Sequence, residues 1–481
     1  MSKDKQDDVA HRVASSCLNQ YDKLPPRGAK PAFRSDGKYE WSILAGVVVE
    51  ARNTFHCIAL ATGVKALPYD TLSPRGDLVH DSHAEVLARR GARIWLLARL
   101  MSEVRAHSDG AEIAGMSRLF VQVSDNRWRL IPEAKLHLYC STFPCGDASS
   151  SLLMSRIERQ GKQQYLWTSA HLNNDFTLRG RTCSSGHHLR LRTKPGKLQS
   201  FPSISMSCTD KIAMWSAVGM QGALLSKWLE PVYFDSLVIG TDSIKALSDE
   251  IKWNTMEECR LVLKHKLGSN RLHHGALKVL RADLSFCHAK EKVEEKLLKS
   301  KQNAIESIDS QEANLIPAAG SIVWILGEKL ENLVQGKRQG AALPKKKSDA
   351  LAPSSRSRVS KASYFNLARQ ADTILGQERS KSMAGTYYEA KHDENDFGIS
   401  HYQHRKNILR GSMDSCDQQK LVERFLADAQ KNFSAEQDAS QVLSSSSPSS
   451  SSLHSTLPQA PFQAWLVSGK AFETFGAKSV G

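Results

Sequence analysis

Between Tyr39 and Leu60 apolar and polar side chains alternate, with Ile43, Leu44, Val47, Val48, Val49, Phe55, Ile58 and Leu60 as the apolar set. Such alternation predicts β-structure. The period changes after Ser82: Val86, Leu87, Ile94, Trp95 and Leu97 recur at helical spacing and predict a helix over 83–101. Further strands are predicted near 118–123, at Lys135–Thr142, where Leu136, Leu138 and Cys140 share a face, and at 232–240. Helical patterns follow Cys145 (Leu152, Leu153, Ile157) and Asp210 (Ile212, Trp215, Val218). Strands that lead repeatedly into helices predict an α/β sandwich with its chemistry at helix ends.

The pattern is interrupted in three places. Glu291–Ile308 is charged and helical, as expected of a solvent-facing insertion. Residues 336–358 are rich in Lys, Ser and Pro, and residues 434–458 are dominated by serine; both compositions predict disorder. Lys337-Arg338 and Lys345-Lys346-Lys347 suit a nuclear signal, an RNA tether or a plain solvated linker. Phe462, Trp465, Leu466 and Val467 then resume an apolar pattern and predict a terminal segment that docks back onto the body. Length alone suggests two or three domains.

Composition narrows the class. A net charge of +15, from 65 Lys+Arg against 50 Asp+Glu, favours a phosphate-rich partner, although a solvated basic surface gives the same sum. Nine cysteines, an odd number without regular spacing, argue against a secreted disulfide framework. The first residues lack the apolar core of a signal peptide, and the chain has no apolar run long enough for a membrane span. These features fit an intracellular protein, and they do not separate nucleus from cytoplasm.

The candidate chemistry lies in two short words. His83-Ala84-Glu85 opens the predicted helix, and Pro144-Cys145-Gly146 follows a predicted strand. In zinc deaminases a His and thiolates hold the metal, and a Glu two residues after the His moves protons without binding it. The P-C-x-x-C form of the second half is missing, because position 148 is Ala. A third ligand must therefore come from elsewhere. Cys140 reads as core, and Cys183 falls in an Arg/Gly/Ser-rich stretch. Cys208 stands at a helix start near Lys211, a setting that stabilises a thiolate. His83, Cys145 and Cys208 at three helix N-termini would leave one tetrahedral position for water. Ser82-x-x-Glu85 is also the pattern of a helix-capping box, and a Glu tied to a cap is less free to move protons.

The segments Asp81–Glu85, Ser141–Ala148, Leu191–Lys194, Met206–Ala213, Val218–Ser226 and Glu230–Phe234 occur in an order that resembles the catalytic domain of the adenosine deaminases acting on RNA. The likeness is particular to their eukaryotic tRNA-specific branch, which converts adenosine 37 of alanine tRNA to inosine. It extends from about residue 38 to 475. It implies a cytidine-deaminase-like α/β/α sandwich with zinc at helix N-termini, a C-terminal helical extension, and one large domain over 38–475 behind a short N-terminal extension, 1–37. Zn²⁺ on His83, Cys145 and Cys208 and proton transfer by Glu85 follow from the same resemblance, as does Lys65 as a contact to the target nucleotide. Val64 and Ser149 stand where the duplex editors of the family carry Thr and Arg, which points to the tRNA branch.

The resemblance also implies a buried inositol hexakisphosphate. The matching residues are Arg89, Arg90, Lys194, Lys211, Trp215, Lys361, Tyr387, Lys391, Tyr402, Lys406 and Trp465, with Asp81 in a relay through Lys194 and Lys211 toward the metal. Read alone, Arg89-Arg90 on a helix suits surface RNA contacts or a salt bridge. The chain departs from the family at His80, Met214 and Val467. The implied partner is tRNA, with no membrane and no protein partner. Two other readings remain: editing of double-stranded or messenger RNA, and a non-catalytic RNA-binding protein with a structural zinc. The first needs duplex-binding domains for which fewer than 40 residues stand before the first strand. Glu85 argues against the second.

Overall fold

The computed structural model describes residues 3–26, 28, 30–109, 118–150, 152, 177–179, 189–191, 203–266, 277–302, 315–342, 349–376, 383, 385–410, 423, 462 and 465–476. Its centre is an eight-stranded mixed sheet. The strands are β1 (Leu44–Ala51), β2 (Thr54–Thr62), β3 (Lys135–Cys140), β4 (Phe234–Gly240), β5 (Lys278–Ala282), β6 (Gly320–Ile325), β7 (Glu331–Val334) and β8 (Lys337–Arg338). They lie in the order β5-β4-β3-β1-β2-β6-β7-β8. β3, β4 and β5 run parallel, and the other pairings are antiparallel. The alternating stretch Tyr39–Leu60 thus contains a hairpin, turned by Arg52 and Asn53 at φ 47° and 60°, the left-handed pair that matches strand twist.

Both faces of the central strands are buried, which explains why β1 and β3 read as nearly continuous apolar runs. Val47, Val49 and Ile58 share one core with Leu87, Leu96 and Leu100 of α2 (Ala84–Asp109). Leu44, Val48, Leu60, Tyr139 and Val238 share a second core with Val9, Val13, Cys17 and Tyr21 of an N-terminal helix, α1 (Lys3–Asp22). Gly46 in β1 has no room for a side chain, because the Cys17 thiol sits where a Cβ would be. The segment expected only as a short extension therefore covers part of the sheet.

Helices α3 (Cys208–Val218) and α4 (Asp249–His265) follow β3 and β4 respectively, and α5 (Lys290–Gln302) is the expected charged helix over the described part of Glu291–Ile308. Val293 and Leu297 of α5 are buried, so it is not wholly solvent-facing. The C-terminal part contributes α6 (Lys361–Leu375), α7 (Tyr387–Lys391) and α8 (Phe397–Arg410). Phe462 and Leu466 are buried, as the resumed apolar pattern predicts.

The expected disorder over 336–358 is corrected for 336–342 and 349–358. Glu331 accepts hydrogen bonds from the Ser357 hydroxyl at 2.7 Å and the Arg358 amide at 3.1 Å, and Asp77 accepts from the Leu351 amide at 2.9 Å. Buried carboxylates anchor a segment whose composition alone could not. Residues 343–348 and the stretch 434–458 lie outside the described residues.

Candidate active site

Three chain segments meet at the start of α2 and α3. Asp81–His83 forms a short antiparallel pair with Val64–Ala66, in which Val64 faces His83 and Lys65 faces Ser82. Gly63, at φ 150°, permits this approach: a Cβ there would strike the Ser82 carbonyl. Its own carbonyl takes the Ala84 amide at 3.0 Å and so fixes the first turn of α2 behind His83. Lys65 is exposed on the neighbouring strand.

Cys145 and Cys208 come together although they are far apart in sequence. The Cys208 amide donates to the Cys145 sulfur at 3.4 Å, and the Thr209 amide and hydroxyl donate to the Cys145 carbonyl at 3.0 and 2.9 Å. Ser207 caps α3 by accepting the Asp210 amide at 3.1 Å. Gly146, at φ 109°, lets the two turns close, since a Cβ there would lie 2.7 Å from the Ser207 Cβ. Cys140 is buried core, and Cys183 lies outside the described residues. After Cys145 a short 3-10 turn, Asp147–Ser149, comes first, and Ser150 and Leu152 are then helical as the pattern predicts; the remainder of the expected helix lies outside the described residues.

The His83 ring is held through Nδ1, 2.9 Å from Asp81 Oδ1, which fixes its orientation. Asp81 also pairs with Lys211 and accepts the Ser205 hydroxyl at 2.7 Å. Lys194, expected in this relay, lies outside the described residues; the Ser205 hydroxyl accepts from Lys211 Nζ at 2.7 Å.

Glu85 is 2 % exposed, and its Oε2 has no hydrogen-bond partner. Burial pushes its carboxyl pKa up, and Asp81 adds to this, against the opposing pull of Cys208 and Lys211. The donor set (one imidazole, two adjoining thiols, a buried acid beside them) has the chemistry of a zinc deaminase site. Among the described residues, however, no three His, Cys, Asp or Glu side chains are gathered as a metal-holding group.

A basic cluster lies further along α2. The Arg89 guanidinium stacks 4.7 Å over Trp215, and Arg90 donates to the Val359 carbonyl at 2.7 Å. Lys361 and Lys391 reach Glu473 at 3.1 and 2.6 Å, and Tyr387 and Tyr402 are buried beside them. Burial and Arg93 push Arg89 down to about 9, and burial pushes Arg410 down to about 10. Lys406 falls well below the ordinary lysine range through burial, Lys391 and Arg410. His80 is pushed down to about 3 by burial, Lys361 and Arg90. Trp465 is partly buried against Phe462, its ring centroid 5.8 Å away. Sequence reasoning missed Arg93, Arg410 and Glu473. Arg93 was within reach, because it lies one turn beyond Arg89 on the same helical face.

A sequence profile of the adenosine-deaminase (editase) domain matches residues 59–420. The chain is 31% identical over 292 residues to the tRNA-specific adenosine deaminase 1 of Schizosaccharomyces pombe, covering 60% of this chain and 71% of that protein. The corresponding protein of Saccharomyces cerevisiae is 34% identical over 264 residues, 51% of this chain and 61% of that one. A double-stranded RNA-specific editase B2 of Mus musculus is 32% identical over 203 residues, but the match spans 41% of this chain and only 27% of that protein. Among the described residues no helix is long and apolar enough to cross a membrane.

Proposed function

The chain belongs to the adenosine-deaminase (editase) family of hydrolytic enzymes, and on that premise we propose that it converts adenosine to inosine in tRNA, at position 37 beside the anticodon of alanine tRNA. The observation that carries the mechanism is Glu85, buried with an unpaired Oε2 next to His83 and the Cys145–Cys208 pair. Zinc held by His83, Cys145 and Cys208 would supply the Lewis acid that makes water a nucleophile at neutral pH. Asp81 fixes the His83 tautomer through Nδ1. Glu85 takes a proton from the attacking water, delivers it to N1 of adenine, and then serves the departing ammonia. A raised carboxyl pKa suits a group that must both accept and return a proton. The target base has to leave its stack, which costs less in an anticodon loop than in a duplex, and Lys65, exposed beside Ser82, would contact the target nucleotide.

The basic cluster on α2, α6, α7 and α8 would take inositol hexakisphosphate, through Arg89, Arg90, Lys361, Tyr387, Lys391, Tyr402 and Lys406. Its support is a local cation excess that burial makes costly without a polyanion. The tRNA-specific relatives are matched over most of their length, which favours tRNA over duplex RNA as substrate.

The deciding experiment incubates the purified protein with total tRNA and with a long RNA duplex and sequences both for inosine. Inosine at position 37 of alanine tRNA is expected. Inosine confined to the duplex overturns the substrate reading. Glu85→Gln should keep zinc and tRNA binding and lose about 10²–10⁴ of turnover; near-native turnover would make Glu85 merely structural.

A further inference from the structure

The two cysteine turns share a second feature. Each is followed at the same spacing by an aspartate: Cys145-Gly146-Asp147 and Cys208-Thr209-Asp210. Both aspartates are buried, and both meet one lysine. Lys266 Nζ lies 2.7 Å from Asp147 Oδ2 and 2.8 Å from Asp210 Oδ1. Lys266 is itself only 5 % exposed. It caps the C-terminus of α4, with its amide on the Val262 carbonyl, so the helix end favours its positive charge. α4 packs against both the Asp147–Ser149 turn and α3.

We infer that Lys266 is a positioning residue that clamps the two Cys-x-Asp turns together and thereby sets how tightly the cysteine pair holds its metal. Several other contacts join the turns, but these are hydrogen bonds among neutral groups: Thr209 to the Cys145 carbonyl, and the Cys208 amide to the Cys145 sulfur. Lys266 brings to the joint a positive charge that both turns share. Without its ammonium, Asp147 and Asp210 would lose the partner that draws them together. Their repulsion acts along the line that separates the turns, and the thiols move with the turns. A buried ion cluster that loses a shared partner is less well compensated, and the cheapest relief is for the turns to part. Lys266 touches neither substrate nor metal. It comes from a helix that carries no other candidate site residue, which is why spacing rules around the cysteines do not find it.

This inference rests on the zinc reading of the cysteine pair, and the test separates the two. Wild-type protein, Lys266→Met, Lys266→Arg and Asp147→Asn are purified, checked for folding by near-ultraviolet circular dichroism, and titrated with a chromogenic zinc chelator. Cobalt-substituted samples report thiolate ligation through their charge-transfer absorption. Lys266→Met should hold zinc about 10–100-fold more weakly, the range for groups that orient metal ligands, and show a weakened thiolate band. Its KM for tRNA should be unchanged, and excess zinc should restore kcat. Lys266→Arg should recover part of the affinity. Wild-type zinc affinity in Lys266→Met overturns the inference. If Lys266→Met does not fold, Asp147→Asn decides: it keeps the Lys266–Asp210 pair, and wild-type affinity there also overturns the clamp. Wild-type protein that binds no zinc overturns the metal reading and this inference together.

Discussion

Two clusters of buried charge lie along α2 and its neighbours, and they are built in opposite ways. At the cysteine end each lysine has its carboxylates: Lys211 pairs with Asp81, and Lys266 with Asp147 and Asp210. At the other end Lys361, Lys391, Lys406 and Arg410 gather around Glu473, and Arg89, Arg90 and Arg93 lie together beside buried tyrosines. Burial opposes ionisation of Glu473, yet Lys391 and Lys361 hold its carboxyl well below the ordinary range. Among the described residues Glu473 is the carboxylate that pairs with Lys361 and Lys391. The first cluster has carboxylates for both its lysines, whereas the second has a cation excess, which is the ground on which we propose an anion there. Asp81–Lys211 lies between them, so charge bound at the second can be felt at His83.

The comparison breaks most sharply at the cysteines. Cys208→Ser should lose zinc and reduce inosine formation to background, while Cys140→Ala and Cys183→Ser keep both, as read by metal content and tRNA sequencing. Equal effects at Cys140 and Cys208 would mean that packing, and not ligation, distinguishes them. The next largest effect belongs to the basic cluster, and its sign carries the information. In an empty cavity Lys406→Ala, which removes the lysine that burial and its cationic neighbours disfavour, would relieve repulsion and raise the melting temperature. In a cavity filled by a polyphosphate the same change removes a partner of a buried anion, a loss of about 3–5 kcal/mol by analogy with broken buried pairs. We expect the second result, with lower yield and less inositol hexakisphosphate released on denaturation. A more stable variant would sink the polyanion reading.

What the sequence disclosed and what it hid divide along physical lines. β1, β2, β3, β4 and α2 were readable because burial imprints its period on consecutive residues. Cys208 was singled out by its place at a helix start, and its contact with Cys145 is what that place makes possible. α1 was hidden because its first turns are charged (Lys3, Asp4, Lys5, Asp7, Asp8), which masks the stripe of Val9, Val13, Cys17 and Tyr21 on one face. The ordered part of 336–358 was hidden because its anchors, Glu331 and Asp77, lie outside it. Lys266 and Glu473 follow the same rule. A residue whose partners are supplied by distant elements leaves no local pattern.

A third charged group, remote from both clusters, calibrates the comparison. Glu50 accepts from His137 Nε2 at 3.0 Å and pairs with Lys135 at 3.2 Å, while His137 Nδ1 lies 2.8 Å from the Ser236 hydroxyl. His137, despite partial burial of its partner Glu50, first among these contacts, holds the Glu50 carboxyl down to about 2 from an ordinary 4.5. The folded pKa is depressed, so the stabilisation is present above the unfolded value and is lost as pH falls from about 4.5 through about 2. Glu50→Gln keeps the shape and removes the charge. It should cost about 1–3 kcal/mol at neutral pH, seen as a lower melting temperature. The gap to wild type should narrow through that acid window and close at its lower end. Activity and zinc content should not change, because the group touches neither cluster. A gap that persists unchanged at the acid end would assign the loss to packing, and the balanced clusters would then owe their stability to shape more than to matched charge.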